Sequence, residues 1–399
     1  MPEAPLGAGP GARRVHDNGP PILEAVRDGR DAMLAFLVDL ASLESPTDDP
    51  ARQRPVQDML AAAFEELGGR VRRLPGRDTG GHLFIRFPGD HGSAPQLLVG
   101  HTDTVWPVGT LREMPVRVED GVVHGPGVFD MKAGLTQMVF ALRALRELGL
   151  RPPVPPVVLV NSDEELGSFE SRRWVARLAR VACRAFVLEP ALGPDGRLKT
   201  RRKGVGRYEI TVRGKAAHAG LDPDAGASAV LGMAHVIQAL HALSDRGRGI
   251  SVNVGVVEGG TRPNVVAAEA VARVDVRVTS RADGDRLDRL LRDLSSPVEG
   301  TRVEVEGGME IPPLEATPRN RRLWEAAREA GSGLGLALEE AAAGGASDGN
   351  TTSLHTATLD GLGAPGDGAH ARHEHVHVDG LVERCALLAR LLLLPREGA

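Results

Sequence analysis

The unbroken apolar run at residues 155–160 constrains the fold of this chain more than any other feature. A strand without polar side chains has both faces buried, which is typical of a parallel sheet covered by helices on both sides. Shorter and largely apolar runs follow the same pattern at 96–99 and 185–188, and segments with helical spacing lie between them, one ending near Leu148. Strands that alternate with helices predict an α/β fold with a mostly parallel mixed sheet flanked by helices.

The pattern changes near Lys203. Between 205 and 306 the predicted order is strand, helix, strand, strand, helix, strand, which is the ferredoxin-like α+β arrangement. A chain of 399 residues is long enough for two domains. The predicted segments are a disordered leader at 1–20, one α/β domain formed by 21–202 and 314–399, and an inserted lid domain at 203–313.

Composition argues against several classes of protein. Hydrophobic residues make up 42% and charged residues 25% of the chain, as in ordinary soluble globular proteins. The formal net charge is −5 with both signs interspersed, so we expect neither nucleic acid nor a membrane as a partner. Cys183 and Cys385 are too few for a disulfide framework. Without an apolar signal segment or a run long enough to span a bilayer, the expected location is cytoplasmic.

Polar residues with metal-binding chemistry follow the predicted strands and one glycine-rich turn. Because the carboxyl ends of parallel strands share one edge of a sheet, these side chains are expected to converge there. Histidine and carboxylate ligands without cysteine suit Zn²⁺ or a related divalent ion, and so many carboxylates suggest a pair of ions. The candidate residues are His101, Asp103, Asp130, Glu164, Glu165, Glu189 and His370.

Each candidate also has a simpler interpretation. Glu164 and Glu165 could be acids in the first turn of a helix, where the helix dipole favours them. Glu189 could be a solvated strand end, and spacing alone does not choose among His370 and the three histidines at 373, 375 and 377. The turn at 125–127 lacks the ending of a phosphate-binding P-loop, and the dinucleotide-binding fingerprint is absent as well.

Five segments stand out by their order and spacing. They are Gly100-His101-Thr102-Asp103-Thr104-Val105, the run 127–134, the run 163–168, Leu188-Glu189-Pro190, and Gly368-Ala369-His370. Together they resemble the M20 metallopeptidases, in particular the glutamate carboxypeptidase (carboxypeptidase G2-like) branch. The resemblance runs from about residue 25 to the C-terminus and implies a zinc exopeptidase-like catalytic domain with an inserted lid and dimerisation domain.

The resemblance implies a role for each candidate. One Zn²⁺ would be held by His101 and Glu189, a second by Glu165 and His370, and Asp130 would bridge both; Co²⁺ or Mn²⁺ are possible substitutes. Asp103 would accept a hydrogen bond from the His101 ring and fix its tautomer. Glu164 would be the general base that takes a proton from the attacking water and passes it to the leaving amine.

The resemblance also implies substrate contacts. His218 would reach the active site of a partner subunit and stabilise the oxyanion, which implies a homodimer through the lid. Asn264 and Arg277 match lid positions that contact substrate, and Arg277 suits a carboxylate, although a salt bridge within the sheet is the alternative. Arg197 matches a basic position near the substrate. Gly345 belongs to a loop resembling one that lines the substrate pocket, although Ser347-Asp348 there could equally begin a helix.

We therefore expect a dinuclear zinc hydrolase that cleaves an amide bond next to a free carboxylate in a small peptide or N-acyl amino acid. Carboxypeptidase-like release of a C-terminal amino acid such as glutamate is the first choice. The alternatives are an N-acyl-amino-acid deacylase or desuccinylase of the same family, a non-catalytic binding protein on this fold, and a structural homodimer.

Overall fold

The computed structural model describes residues 19–89 and 93–396. Most of the predicted leader at 1–20 lies outside these ranges. The helices are α1 (Gly19–Asp28), α2 (Arg30–Ala41), α3 (Pro50–Glu66), α4 (Ala133–Glu147), α5 (Arg172–Ala179), α6 (Ala229–Ala242), α7 (Arg281–Arg292), α8 (Pro318–Ser332), α9 (Asp348–Ser353) and α10 (Val378–Leu392).

The strands fall into four sheets. They are β1 (Arg70–Leu74), β2 (His82–Arg86), β3 (Gln96–His101), β4 (Arg117–Glu119), β5 (Val122–His124), β6 (Pro156–Asn161), β7 (Arg184–Val187), β8 (Leu198–Arg202), β9 (Gly204–Arg213), β10 (Ser251–Gly259), β11 (Glu269–Val278), β12 (Arg302–Ile311), β13 (Glu340–Ala343), β14 (Ala357–Leu359), β15 (Gly366–Asp367) and β16 (His375–His377).

The largest sheet has the order β1-β2-β6-β3-β7-β14. Strands β6, β3, β7 and β14 are mutually parallel, whereas β2 runs antiparallel to β6 and β1 antiparallel to β2. Every residue of β3, β6 and β7 is buried. The prediction of a mostly parallel mixed sheet is confirmed.

Helices cover both faces of this sheet. Side chains alternate along a strand, so Leu98 packs into one core with α4 and α10, while Leu97 and Val99 pack into another with Val175 of α5. Burial on both faces is the reason that these strands consist almost entirely of apolar residues. It also leaves the strand ends as the place where polar groups of this domain can gather.

The inserted segment forms a separate antiparallel sheet with the order β10-β11-β9-β12. Helices α6 and α7 bury Val236, Leu240 and Leu287 in one core with Ile210 and Val212 of β9. The chain order strand, helix, strand, strand, helix, strand is the ferredoxin-like arrangement that was expected. Whether the segment at 203–313 moves as a lid or joins two subunits stays a prediction.

The chain turns at Gly29 between the first two helices, which lets α1 pack against α10 and α2 against α4. The strands β4, β5, β15 and β16 form a small sheet that the sequence did not predict. Strands of two or three residues are too short to show a period-two pattern.

Among residues 19–89 and 93–396, no helix combines the length and the apolar character that crossing a membrane requires.

Candidate metal centre

The predicted metal-site residues gather at one edge of the central sheet. His101 is the last residue of β3 and pairs in register with Asn161 at the end of the neighbouring parallel strand β6. Glu164 and Glu165 form a single helical turn directly after β6, and Glu189 follows β7. Parallel strands therefore deliver three of the acids to the same edge, because their carboxyl ends all lie there.

Asp130 lies at the centre of the group. Its Oδ1 is 3.3 Å from Nε2 of His101, and its Oδ2 is 3.5 Å from Nε2 of His370. The two oxygens of one carboxylate thus face two different histidines. This is the arrangement that a carboxylate shared by two cations requires.

Each histidine has a second carboxylate beside it. Nε2 of His101 lies 3.5 Å from Oε1 of Glu189, and Nε2 of His370 lies 3.0 Å from Oε2 of Glu165. Ligand atoms of His101, Asp130 and Glu165 all lie within 4.8 Å of one another, and so do those of His101, Glu164 and Glu189. The sequence left the choice among the late histidines open, and the structure brings His370 to these carboxylates.

The donor set fits divalent cations. In the described part of the chain, Oε1 of Glu165 is buried without a hydrogen-bond partner. A buried carboxylate oxygen without a partner is costly, and a cation would satisfy it. Imidazole nitrogens and carboxylate oxygens are the ligands that Zn²⁺ accepts in catalytic sites.

Burial and neighbouring charges shift the pKa values of the group. Burial raises the pKa of Glu165 to about 7, and burial together with Glu189 raises the pKa of Glu164 well above its usual value. Hydrogen bonds to Asp130 and Glu165 raise the pKa of His370 to about 10. Glu165 and His370 therefore hold their protons more tightly than the same side chains do in water.

Asp103 supports His101 from the side opposite to Asp130. Nδ1 of His101 lies 2.9 Å from the backbone oxygen of Asp103 and 3.4 Å from its Oδ1. Oδ2 of the same carboxylate accepts hydrogen bonds from the Thr47 hydroxyl at 2.9 Å and from the Glu165 backbone N–H at 3.1 Å. The contacts orient the His101 ring and anchor the turn that carries Glu164 and Glu165.

A buried ion-pair network that the sequence analysis missed lies behind Glu189. Oε2 of Glu189 is 3.1 Å from Nη2 of Arg202, while Oε1 faces His101. Arg202 in turn makes a two-point contact with Asp360 at 2.8 and 3.0 Å. Arg202 follows Glu189 by 13 residues but Asp360 lies 158 residues beyond Arg202, so no local pattern could have paired them.

A second missed residue, Glu374, holds the turn that carries Asp130. Its carboxylate accepts backbone hydrogen bonds from Gly127, Phe129 and Asp130 at 2.8, 2.9 and 3.0 Å. It also accepts one from the indole N–H of Trp106 at 2.7 Å. The residue is 1% exposed, and its position among histidines in the sequence gave no sign of this role.

A cavity of about 660 Å³ opens beside the metal-site residues. Gly345 lies in its wall, and its predicted contact with substrate stays a prediction. In the same loop, Ser347 caps helix α9 by accepting a hydrogen bond from the Gly349 N–H. Arg277 lines the cavity too, but its guanidinium is bound to Asp275 of the same strand at 2.8 and 3.0 Å.

The structure does not bring every predicted substrate residue into this cavity. Arg197 is not among the described residues that line it. His218 and Asn264 lie together in exposed lid loops, also away from it, where the Asn264 carbonyl accepts a hydrogen bond from the Ala219 N–H. The predicted substrate roles of these three residues remain predictions.

Comparisons with known proteins identify a family for this chain. The model of peptidase family M20/M25/M40 matches residues 97–394. Carboxypeptidase G2 of a Pseudomonas species is 28% identical over 383 residues, which cover 93% of this chain and 91% of that protein. Acetylornithine deacetylase of Myxococcus xanthus is 27% identical over 382 residues, covering 91% and 97%.

Solved structures of similar fold include two peptidases. An aminopeptidase PepT structure from Bacillus cereus superposes with a TM-score of 0.77 at 22% identity, covering 91% of this chain and 98% of the other. An M20 family metallo-carboxypeptidase from Sulfolobus solfataricus gives a TM-score of 0.68 at 16% identity, again covering 91% and 98%. At these identities the likeness supports the fold alone.

Proposed function

The chain belongs to peptidase family M20/M25/M40 and is a hydrolytic enzyme, and on this premise we propose that it cleaves an amide bond next to a free carboxylate. The favoured reaction is carboxypeptidase-like release of a C-terminal amino acid such as glutamate. The observation that carries the proposal is Asp130, whose two oxygens face His101 and His370 beside a cavity wide enough for a small peptide.

We propose that the site holds two divalent cations, with Zn²⁺ favoured and Co²⁺ or Mn²⁺ as substitutes. His101 and Glu189 would hold one, Glu165 and His370 the other, and Asp130 would contact both. Such cations would polarise the scissile carbonyl and lower the pKa of the attacking water. The paired ring nitrogens and carboxylate oxygens around Asp130 support this assignment.

Glu164 is the proposed general base. Its carboxylate is grouped with His101 and Glu189 in the metal centre, and it lines the cavity. Its pKa is raised and so lies closer to neutral pH than that of an ordinary carboxyl group. A carboxylate with such a pKa can take a proton from water and give it to the leaving amine. Asp103 orients His101 and does not exchange protons with the substrate.

We propose that Arg277 and Asn264 contact the substrate when the lid closes, and that His218 enters the active site of a second copy. His218 is exposed and lies outside the cavity of its own chain. Arg277 would have to exchange Asp275 for the substrate carboxylate. Arg197 keeps its proposed place near the substrate by resemblance alone.

The proposed homodimer would form along the lid. Strand β10 is an edge strand of the lid sheet, and its Val256 and Val257 are 43% and 50% exposed. On helix α6, Val230 and Leu231 are 46% and 52% exposed. An edge strand with exposed valines is a ready template for pairing with another strand.

Cytoplasmic location is proposed as well. Two cysteines in 399 residues are too few for a disulfide framework, which is compatible with a reducing compartment.

A hydrolysis screen tests the proposed function. The metal-loaded protein would be offered peptidyl-glutamates, N-acyl amino acids and dipeptides, with release of the free amine as the measurement. We expect turnover of substrates that keep a carboxylate next to the scissile amide, and loss of turnover in their methyl esters. Turnover restricted to N-acetyl or N-succinyl substrates would favour the deacylase or desuccinylase reaction, which the likeness to acetylornithine deacetylase supports. Equal turnover of the esters would contradict the proposal.

A further inference from the structure

Three histidines lie side by side on one face of the small sheet formed by β4, β5, β15 and β16. His124 ends β5 and lies directly opposite His375 of the antiparallel strand β16. His377 follows two residues later on β16, so its side chain points to the same side of the sheet. The neighbouring residues Val123 and Val376 are fully buried on the opposite face. The alternation along both strands therefore places the three imidazoles together on the side away from the core.

The rings are spaced like ligands of a single cation. The ring centroids of His124 and His375 are 5.6 Å apart, and those of His375 and His377 are 5.4 Å apart. Two imidazoles that bind one tetrahedral Zn²⁺ through nitrogens at about 2.0–2.1 Å place their ring centroids about 5 Å apart. The backbone thus already holds the imidazoles near the spacing that a shared ion requires.

A hydrogen bond determines which nitrogen His375 offers. Its Nδ1 lies 2.8 Å from the backbone oxygen of His373. Because a carbonyl oxygen can only accept, Nδ1 carries the proton, and Nε2 of the neutral ring keeps its lone pair. Metal-binding histidines commonly donate one ring N–H to a backbone carbonyl in this way. The central histidine of the three therefore has the tautomer of a metal ligand.

His124 and His377 can turn towards the ion. Within residues 19–89 and 93–396, neither ring forms a hydrogen bond or an ion pair. Unlike the ligand atoms of the metal centre, the ring nitrogens of the three histidines do not all lie within 4.8 Å of one another. Solvent-exposed side chains change rotamer within nanoseconds. Binding therefore requires rotation of side chains and no movement of the strands.

The charges next to the three histidines permit a cation. Asp367 of β15 lies directly opposite His375, so its carboxylate belongs to the same face of the sheet. Arg117 of β4 lies opposite His124, and its Nη1 is 3.4 Å from Oε1 of Glu119. The neighbouring positive charge thus has an acid beside it.

We propose that His124, His375 and His377 bind one divalent transition-metal ion, Zn²⁺, Ni²⁺ or Cu²⁺, at a site separate from the metal centre. Three imidazoles favour these ions over Mg²⁺ and Ca²⁺, which prefer oxygen ligands. Water would complete the coordination. This site goes beyond the proposed function and does not depend on it.

Such an ion would join the two strands that support the turn of Asp130. The chain leaves β5 at His124 and enters that turn at Gly125, whose N–H donates to the backbone oxygen of Glu374 at 3.2 Å. Glu374 directly precedes His375. An ion shared by His124 and His375 would reinforce this contact, so we expect its binding to raise the unfolding temperature.

The test counts Zn²⁺ in the holoenzyme after equilibrium dialysis against a fixed concentration of free Zn²⁺. His375→Gln and His124→Gln should each hold about one ion fewer per chain than the wild type, because each loses a ligand. His241→Gln is the matched control, since His241 is an exposed histidine of helix α6, and it should hold as many ions as the wild type. The difference between wild type and variant does not depend on how many ions the metal centre holds.

Two further measurements identify the ligands. Cu²⁺ added to the Zn²⁺-loaded wild type should give an electron paramagnetic resonance signal that is split by imidazole nitrogens, and His375→Gln should remove this signal. Excess Zn²⁺ should raise the unfolding temperature of the wild type more than that of His375→Gln, whereas Mg²⁺ should affect both equally.

Three outcomes would overturn the site. One is an equal Zn²⁺ content in the wild type, His124→Gln and His375→Gln. Another is the same loss in His241→Gln, which would indicate binding by surface histidines in general. The third is a loss in His375→Gln that disappears when Asp130→Asn has already removed ions from the metal centre, because the lost ion would then belong to that centre.

Discussion

Arg202 and Asp360 form a buried two-point ion pair, with Nε to Oδ2 at 2.8 Å and Nη2 to Oδ1 at 3.0 Å. Both side chains are almost fully buried, at 4% and 0% exposure. The pair presents Nη2 of Arg202 to Oε2 of Glu189, so that the other oxygen of Glu189 is directed at His101.

Breaking this pair should damage both stability and metal binding. Arg202→Met leaves Asp360 as an unpaired buried charge, and we expect a loss of about 3–5 kcal/mol in the free energy of unfolding. Metal affinity should fall about 10- to 100-fold, because Glu189 loses the contact that orients it. Urea unfolding and metal titration measure the two effects. The double variant Arg202→Met with Asp360→Leu should recover much of the stability; a double variant as unstable as the sum of the two singles would contradict the pairing.

Glu164→Gln should abolish hydrolysis while leaving the metals in place. Removing a general base typically costs about 10²- to 10⁴-fold in rate, so kcat should fall by that range. Metal content by elemental analysis should match the wild type, since Glu164 is proposed to hold no cation. Glu113→Gln, at an exposed acid paired with Arg372 on the surface, serves as the control. Substantial activity in Glu164→Gln would remove this residue from the proton-transfer role.

Asp130→Asn should lower the occupancy of both proposed cations. Its two oxygens face His101 and His370, so one substitution weakens both positions. Glu165→Gln and Glu189→Gln should each lower the occupancy of mainly one cation. Comparing the three variants distinguishes a ligand that contacts both cations from a ligand that contacts one. Metal content of the purified variants gives the stoichiometry.

In the wild type, a chelator should abolish activity, and Zn²⁺, Co²⁺ or Mn²⁺ should restore it. A variant Asp130→Asn with full metal content would contradict the bridging role.

Two inactive variants should complement each other if His218 acts in the partner subunit. In a dimer of one Glu164→Gln and one His218→Asn subunit, one active site would hold both wild-type residues. Equal mixing after reversible dissociation should then recover about one quarter of wild-type activity. The same mixture with Val257→Lys added to both subunits should remain inactive, because a charge on the exposed edge strand opposes pairing. Absence of any recovery in freely exchanging subunits would place His218 outside the partner's reaction.

The lid should lose stability in acid through Asp288. Hydrogen bonds from Arg292 and then Tyr208 hold the pKa of Asp288 below its usual value, despite its partial burial. A depressed pKa in the folded state contributes stability above the unfolded pKa of about 3.9, and the contribution is lost as pH falls through the folded pKa. Asp288→Asn should therefore cost up to about 1 kcal/mol at pH 7 and progressively less below about pH 4. Urea unfolding at both pH values measures the difference, with exposed Asp285→Asn on the same helix as the control. A cost that does not depend on pH would point to packing instead of charge.

The features of this protein that depend on short stretches of chain could be predicted from its sequence. Apolar runs such as 155–160 specify buried strands, because a strand covered on both faces tolerates few polar side chains. Residues directly after those strands, such as Glu164 and Glu189, could be assigned to one edge of the sheet for the same reason. The ferredoxin-like insert was also predictable, because local patterns along the chain indicate the order of its strands and helices.

Partners far apart in the chain were decided by the tertiary structure alone. Asp360 and Glu374 contact the site from the last tenth of the sequence, and nothing in their neighbouring residues indicates it. The chain itself determined which strand ends carry acids and histidines, because strand burial is a local pattern. Folding alone decided which buried charges meet. It paired Arg202 with Asp360 across 158 residues of chain, because ion pairing depends on distances of a few ångströms between segments that are far apart in the sequence.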